Sequence, residues 1–337
     1  MAMHVRGRVV EVHGMLVTVR LTDVVSGAAD DVHGLRVRVR PPRDRMKPVI
    51  GDLCEVELDA VDGASLRAAG RVEARIVAIA PRTRVYERLG VPRQVLAANV
   101  DRLVIVSAVD PEPRPGLIDR MWVALADSRV EVLLVVNKCE LPGRDAALAL
   151  LADHARAGAT LVPTSTRTGE GVSELAAMLT TGVSVVVGHS GVGKSSLVNA
   201  LAPGANLLVG DVNEATRKGR HTTTVATCHE LSGAPESILV DTPGVRAFSL
   251  ESLAEAEAAA RFPGLAALAQ ACHFVGCLHN AEPRCAVIAA IAGGSDDVGR
   301  HRERWRALAL AMREEAGPVD TRNPRKTSRT PGSSGPR

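Results

Sequence analysis

The chain has 337 residues, 46% of them hydrophobic and 2% aromatic, with a formal net charge of +3; this gives room for two or three domains and a sizeable core, and a balance too near neutral to mark the whole chain as a nucleic-acid binder. No apolar run reaches the roughly 18 residues of a membrane span, and the opening MAMHVRGRVVEV has neither an apolar signal region nor a small-residue cleavage site. Six cysteines in a chain this long do not form a secreted disulfide framework, so the expectation is a monomer of the reducing cytoplasm with no membrane contact.

Residues 1–80 contain five short stretches of strand type, GRVVEVHG, MLVTVRL, LRVRVR, DLCEVEL and GRVEARIVAIA. In LRVRVR, alternation puts valines on one face and arginines on the other. Five such strands in so short a span predict a small closed β-barrel, of which the OB-fold is the commonest architecture. Residues 81–95 read as a linker. From residue 96 apolar strands alternate with helices: strand 102–108, helix 117–126, strand 130–136, helix 144–157, strand ATLVP, helix 172–179 and strand 183–188. VATCHEL and SILVD follow, ending at Asp241. This rhythm predicts an α/β domain over 96–248 with a buried parallel sheet. Residues 249–315 read as helices interrupted at Pro263 and Gly264, and in the last helix, 297–315, Trp305, Leu308 and Met312 form an apolar stripe. The tail, 316–337, is rich in proline, serine, glycine and basic residues and is expected to be disordered.

The strongest chemical signal is GHSGVGKSS at 188–196, which fits G-x-x-x-x-G-K-[ST] and stands between a strand and a helix. Glycines there let backbone N–H groups converge on phosphate oxygens at the positive end of the helix. Candidate phosphate contacts are Gly188, His189, Ser190, Gly191, Val192, Gly193, Lys194, Ser195 and Ser196. Lys194 is placed to bridge the β- and γ-phosphates and Ser195 to ligate Mg²⁺. DTPG at 241–244 ends the apolar strand SILVD, so Asp241 is a second Mg²⁺ candidate and Gly244 can turn its N–H to the γ-phosphate. GRHTTT at 219–224 lies between them as a candidate switch loop. Thr222 and Thr223 are equal candidates for the hydroxyl that reaches Mg²⁺.

Nucleotide identity rests on VVNKCEL at 135–141. A carboxylate that accepts from guanine N1–H and its exocyclic amine cannot pair equally with adenine. Glu140 is that acid, Asn137 reaches the other edge of the base, and the stem of Lys138, followed by Cys139, covers a ring face. Glu140 is one methylene longer than the usual aspartate. TSTRTGEG at 164–171 supplies the rest of a base pocket, with Ser165 and Thr166 as candidates. In this part of the chain Ser165-Thr166-Arg167 stands where GTPases usually carry Ser-Ala-Lys.

Cys272, Cys277, His279 and Cys285 offer three thiolates and an imidazole, a full set for structural Zn²⁺. His273, next to Cys272, competes with His279 as the nitrogen ligand, but adjacent side chains rarely converge on one metal, so His279 is the expected one. Basic residues cluster at Arg36, Arg38, Arg40, Arg43, Arg45 and Lys47, along the last helix (Arg300, Arg302, Arg304, Arg306, Arg313), and in the tail (Arg322, Arg325, Lys326, Arg329, Arg337). With so few aromatic residues, such patches would grip folded RNA through phosphate and shape rather than by stacking.

The motifs run in the order NKCE, TSTRTG, GHSGVGKS, GRHTTT, DTPG, the order of a circularly permuted GTPase. With a barrel before and a Cys–His cluster after, and with AANVDRLVIV, DTPGVRAF and CHFVGCLHNAEPRC, residues 1–315 resemble the ribosome small-subunit-dependent GTPase A family. The resemblance implies a GTPase assisting late maturation of the small ribosomal subunit, with GTP and GDP as ligands, Mg²⁺ and one structural Zn²⁺ as cofactors, and the subunit and its rRNA as partners. It implies the fold class too: N-terminal OB-fold barrel, circularly permuted α/β P-loop domain, and C-terminal helical zinc-binding domain. Two other readings stand beside it, an ATP-dependent P-loop enzyme and a passive rRNA-binding assembly factor. Val245 follows DTPG where a water-orienting glutamine stands in Ras-type enzymes, so slow intrinsic hydrolysis completed by His221 or by an rRNA group is expected. Because DTPG ends the α/β domain, nucleotide state is also expected to reorient residues 250–315.

Overall fold

The computed structural model describes residues 3–14, 16–26, 32–41, 47–58, 74–88, 94–125, 129–205, 207, 227–241 and 253–316. Alternating apolar residues at the start of the chain form β1 (Met3–His13), β2 (Leu16–Ser26), β3 (Arg36–Val39), β4 (Leu53–Leu58) and β5 (Ala74–Ile79), an antiparallel sheet in the order β3-β2-β1-β4-β5. It closes on itself through Arg40, whose N–H donates to the Ala74 carbonyl (2.9 Å) and whose carbonyl accepts from Ile76 (3.1 Å). In β3 the valines point in and the arginines out. Val5, Val9, Val19, Leu21, Val56 and Leu58 fill the interior, all fully buried.

Within the stretch predicted as a linker, 81–95, residues 85–88 and 94–95 lie in paired strands. β6 (Val85–Arg88) pairs antiparallel with β7 (Gln94–Ala98). The reason is Tyr86, whose ring is 2% exposed and joins the core beneath the larger sheet, together with Ile50 and Ala97. Hydrogen bonds from Ala98 N–H to the Ile50 carbonyl (2.9 Å) and from the Asn99 amide to the Gly51 carbonyl (3.0 Å) join the barrel to this hairpin.

The second sheet contains β8 (Val100–Ala108), β9 (Glu131–Asn137), β10 (Thr160–Pro163), β11 (Gly182–Val187), β12 (Thr227–Leu231) and β13 (Ala234–Asp241), in the order β10-β9-β8-β11-β13-β12. All neighbours are parallel except β12 and β13. Strands apolar on both faces require cover on both. On one side Val104, Val106, Leu133, Val135 and Leu239 pack against α4 (Val172–Met178) and α5 (Lys194–Leu201). On the other, Ile105, Leu134, Val136, Val185 and Val240 meet α1 (Pro115–Leu125). The helix predicted over 144–157 is two, α2 (Arg144–Leu150) and α3 (Ala152–Arg156), divided at Leu151, which leaves helical geometry (φ −104°) with its side chain fully buried.

C-terminal helices α6 (Glu255–Arg261), α7 (Ala266–Ala269), α8 (Ala286–Ala292) and α9 (Asp296–Ala316) continue the α1 side rather than forming a core of their own. Phe262, Leu265, Trp305, Leu308 and Met312 belong to the same apolar cluster as Ile105 and Met121. Trp305 is fully buried, its ring 5.7 Å from that of Phe262 and its Nε1–H bonded to the Leu278 carbonyl at 2.7 Å. Among the described residues no helix is long and apolar enough to cross a membrane.

Candidate functional site

The loop 188–193 leaves the buried end of β11 and turns into α5, and its glycines are needed there. A Cβ on Gly188 (φ +150°) would lie 2.3 Å from the Val106 carbonyl oxygen; one on Gly193 (φ +88°) would lie 2.3 Å from Asn137 Nδ2. No side chain caps α5, so its first N–H groups are presented to an anion. Lys194 Nζ donates to the His189 carbonyl at 2.6 Å across the loop. Burial lowers the Lys194 pKa, and the charge of Asp241 opposes that shift. Asp241 ends β13 opposite Val186 of β11 and Thr227 of β12, beside the root of the phosphate loop. Burial also lowers the His189 pKa, with Arg114, Lys194 and Lys138 acting the same way against a hydrogen bond to the Ser190 carbonyl. The imidazole is therefore neutral at pH 7.

Although NKCE precedes the phosphate loop in the chain, β8 alone separates β9 from β11, and the two loops meet. Asn137 is fully buried. Its Nδ2 donates to the Val192 carbonyl (3.0 Å), and its Oδ1 accepts from Thr166 N–H (3.3 Å) and Thr164 Oγ1 (3.4 Å). One side chain thus ties together the phosphate loop, NKCE and TSTRTG. Lys138 takes a left-handed conformation (φ +62°), which turns the chain back at this junction. The Ser165 hydroxyl holds the Glu140 carboxyl below the usual glutamate range against desolvation, helped by the local backbone and the charges of Arg167 and Lys138. Glu140 therefore stays ionised, and its Oε2 is buried with no donor among the described residues. A buried acceptor of this kind costs free energy unless it is met by donors, and guanine supplies two. Cys139 lies beside them, buried, its Sγ 3.1 Å from the Val136 carbonyl.

Ser190, Gly191, Ser195 and Ser196 lie on the same loop and the first turn of α5. His221, Thr222, Thr223 and Gly244 lie outside the described residues, as do Val245 and the basic tail from 317. The sequence reading overlooked the segment following β8: a Cβ on Gly191 would lie 3.7 Å from Pro111 Cδ, and Arg114 stands close enough to bias His189. The signal available was the run DPEPRP at the carboxyl end of a parallel strand, the end at which α/β sheets bind ligands.

The Cys–His group forms between α7 and α8. Ligand atoms of Cys272, Cys277, His279 and Cys285 lie within 4.8 Å of one another. His279 Nδ1 is 3.5 Å from Cys285 Sγ and 3.7 Å from Cys272 Sγ, and those two sulfurs are 3.9 Å apart. A tetrahedral metal with bonds of about 2.3 Å to sulfur separates its ligands by about 3.8 Å, so the group fits one. Burial and the neighbouring Cys285 and Cys272 sulfurs push the Cys277 thiol up to about 12, the behaviour of a cluster whose thiolates need a cation. His279, not His273, faces the sulfurs: His273 stacks edge-on against Phe274 and meets Arg284 at 3.4 Å. Arg302 donates to the carbonyls of His279 (2.7 Å) and Asn280 (2.6 Å), fastening the metal loop to α9.

Residues 79–251 match the profile of the RsgA GTPase family. A protein of Azotobacter vinelandii named "Small ribosomal subunit biogenesis GTPase RsgA" is 46% identical over 202 residues, 59% of this chain and 58% of that protein. One of the same name from Gemmatimonas aurantiaca is 38% identical over 209 residues, 62% and 67% of the two chains. The matched stretch thus spans under two thirds of the first relative. Among solved structures, YjeQ from Thermotoga maritima superposes with a TM-score of 0.66 at 25% identity, covering 92% of this chain and 98% of that one. YloQ, described as "a circularly permuted GTPase", superposes with a TM-score of 0.67 at 20% identity, covering 93% and 96%.

Proposed function

The chain belongs to the RsgA GTPase family, and on that premise we propose that it hydrolyses GTP to GDP and phosphate while assisting late maturation of the small ribosomal subunit, which stimulates turnover. The observation that carries the nucleotide assignment is the junction at Asn137, where base-reading and phosphate-binding loops are joined by one buried amide. Ionised Glu140 reads the guanine edge, Lys194 and the N–H groups of the loop and α5 hold the phosphates, and Ser195 and Asp241 hold Mg²⁺ with Thr222 or Thr223. His221 or an rRNA group completes the site for hydrolysis on the subunit. The relatives named as small-subunit biogenesis GTPases support the ribosomal half of this reading.

The strand order β3-β2-β1-β4-β5 with β3 closing on β5 favours an OB-fold for the barrel. Its exposed Arg38 and Arg40, with Arg300, Arg306 and Arg313 exposed on α9, are the surface offered to rRNA phosphate. Zn²⁺ is the cation that best suits three thiolates and an imidazole in a closed site, and its role is to hold the loop between α7 and α8. We take the protein to act as a cytoplasmic monomer.

Phosphate release from GTP, with and without small subunits, tests the whole reading. Expected is slow release alone and a clear rise with subunits, with unlabelled ATP failing to compete. Competition by ATP would indicate another class of P-loop enzyme. Binding to the subunit without turnover would indicate a passive assembly factor.

A further inference from the structure

The barrel meets the larger sheet at a second place besides the joint at Ile50 and Asn99. Arg8, Arg20 and Arg36 are successive cross-strand partners on β1, β2 and β3, so three guanidinium groups stand side by side. Like charges directly opposite one another in a sheet destabilise it, and here Arg20 is 3% exposed and burial lowers the pKa of Arg8. Such a row requires acids facing it, and the β12–β13 hairpin supplies them. Glu230 Oε1 lies 3.3 Å from Arg20 Nη1 and 3.2 Å from Arg36 Nη2, and Glu236 Oε1 lies 3.5 Å from His33 Nε2. Arg20 is buried at this seam, while Arg36, Glu230, His33 and Glu236 stay partly exposed at its rim.

This hairpin is also the element that leads out of the candidate switch loop and into the γ-phosphate segment. β12 begins at Thr227, directly opposite Asp241 at the end of β13, and Glu230 stands three positions along the same strand. We propose that Glu230 is a positioning residue for the nucleotide site: seated under the arginine row, it sets the β12–β13 hairpin so that barrel seating and the γ-phosphate segment report on each other. The inference rests on the reading of 188–196 and 241–244 as a nucleoside triphosphate site. Coupling of this kind is reciprocal. A nucleotide that shifts the ends of the hairpin shifts the barrel, and a polyanion that draws Arg36 away from Glu230 changes the preference for GTP over GDP.

Hydrogen exchange of the full chain with GDP and with a non-hydrolysable GTP analogue tests this, alongside fluorescent-nucleotide affinities. In the wild type, peptides covering 16–26 and 36–39 are expected to differ in protection between the two states. Glu230→Gln should remove that difference and shift the GTP-analogue to GDP affinity ratio severalfold, with GDP affinity itself within twofold. The double reversal Glu230→Arg with Arg36→Glu should restore both. No barrel response in the wild type, or a response unchanged in Glu230→Gln, overturns the coupling. A Glu230→Gln protein that only melts earlier, with its nucleotide preference intact, also overturns it. Absence of any nucleotide binding in the wild type would instead overturn the underlying reading, and the coupling with it.

Discussion

Glu140 concentrates the chemistry of the proposed base site in one side chain. An extra methylene relative to aspartate carries the carboxylate further from the backbone, and Ser165, itself fully buried, is the group that steadies it. Glu140→Ala removes both acceptors for the guanine edge and should weaken GDP and GTP alike by about 1–3 kcal/mol, the cost of unpaired polar groups in a buried site. Glu140→Asp should tighten both nucleotides while leaving turnover unchanged, because the γ-phosphate lies at the other end of the site. Titration with a fluorescent guanine nucleotide reads both effects. Equal affinity in Glu140→Ala and the wild type would remove Glu140 from base recognition. NKCE stood out in the sequence as a candidate base reader. Asn137's bond to Val192 was not, because it joins residues 55 apart in the chain.

Among the elements, the loop between α7 and α8 depends most on something other than its own packing. It is short of apolar side chains, and Phe274 and Val275 at its tip are 47% and 106% exposed. What holds it is the Cys–His group, the Arg302 contacts to two carbonyls, and Trp305 Nε1–H on the Leu278 carbonyl. One Zn²⁺ per chain is expected by elemental analysis, and Cys285→Ser should lose it. Chelation should lower the melting temperature and raise hydrogen exchange first in 272–285, with 182–201 unaffected. Exchange unchanged in 272–285 after chelation would mean that protein contacts alone hold the loop. Cysteine spacing in the sequence identified the four ligands as candidates. The sequence already favoured His279 over His273, because side chains of neighbouring residues such as Cys272 and His273 rarely converge on one ion; the fold groups His279 with the three sulfurs and turns His273 to Phe274 and Arg284.

At the scale of the whole molecule, the C-terminal helices are part of the α/β core. Besides the shared apolar cluster, a buried charge network crosses between them. Asp119 on α1 accepts from Arg304 of α9 (Nε to Oδ2, 3.2 Å) and lies 3.2 Å from His154 Nε2 on α3, while Arg304 also lies 5.5 Å over the Phe262 ring. Burial raises the Asp119 carboxyl, but the hydrogen bonds from His154 and Arg304 outweigh it and leave the pKa below the ordinary value. The folded pKa is thus the lower one, so this contribution is present above the unfolded value of about 4 and is lost as pH falls through the folded value. Arg304→Ala should cost about 3–5 kcal/mol at pH 7, as expected for a buried charge left without its partner. The loss should shrink as the pH falls below about 4 in denaturant melts. A cost independent of pH would mean that packing, not charge, is what Arg304 supplies. The reorientation of residues 250–315 expected from chain order would have to break this network and open the Phe262–Trp305 core. Exchange protection of 255–261 and 296–316 is therefore expected to be equal with GDP and with a GTP analogue, and nucleotide state to be felt at the barrel instead.

Local chemistry is what the sequence alone determined. Period-two alternation marked the barrel strands, apolar runs marked the buried parallel strands, and fixed glycines with Lys194 and Ser195 marked the candidate phosphate loop, because each signal lies within a few neighbouring residues. Tertiary structure alone decided the rest. It turned the supposed linker into a strand pair around Tyr86, merged the C-terminal helices with the sheet, and set Arg20 and Arg36 of the arginine row on Glu230. Those outcomes depend on which surfaces meet across long chain separations. A buried tyrosine or arginine carries no mark in the sequence of the partner that the fold will bring to it.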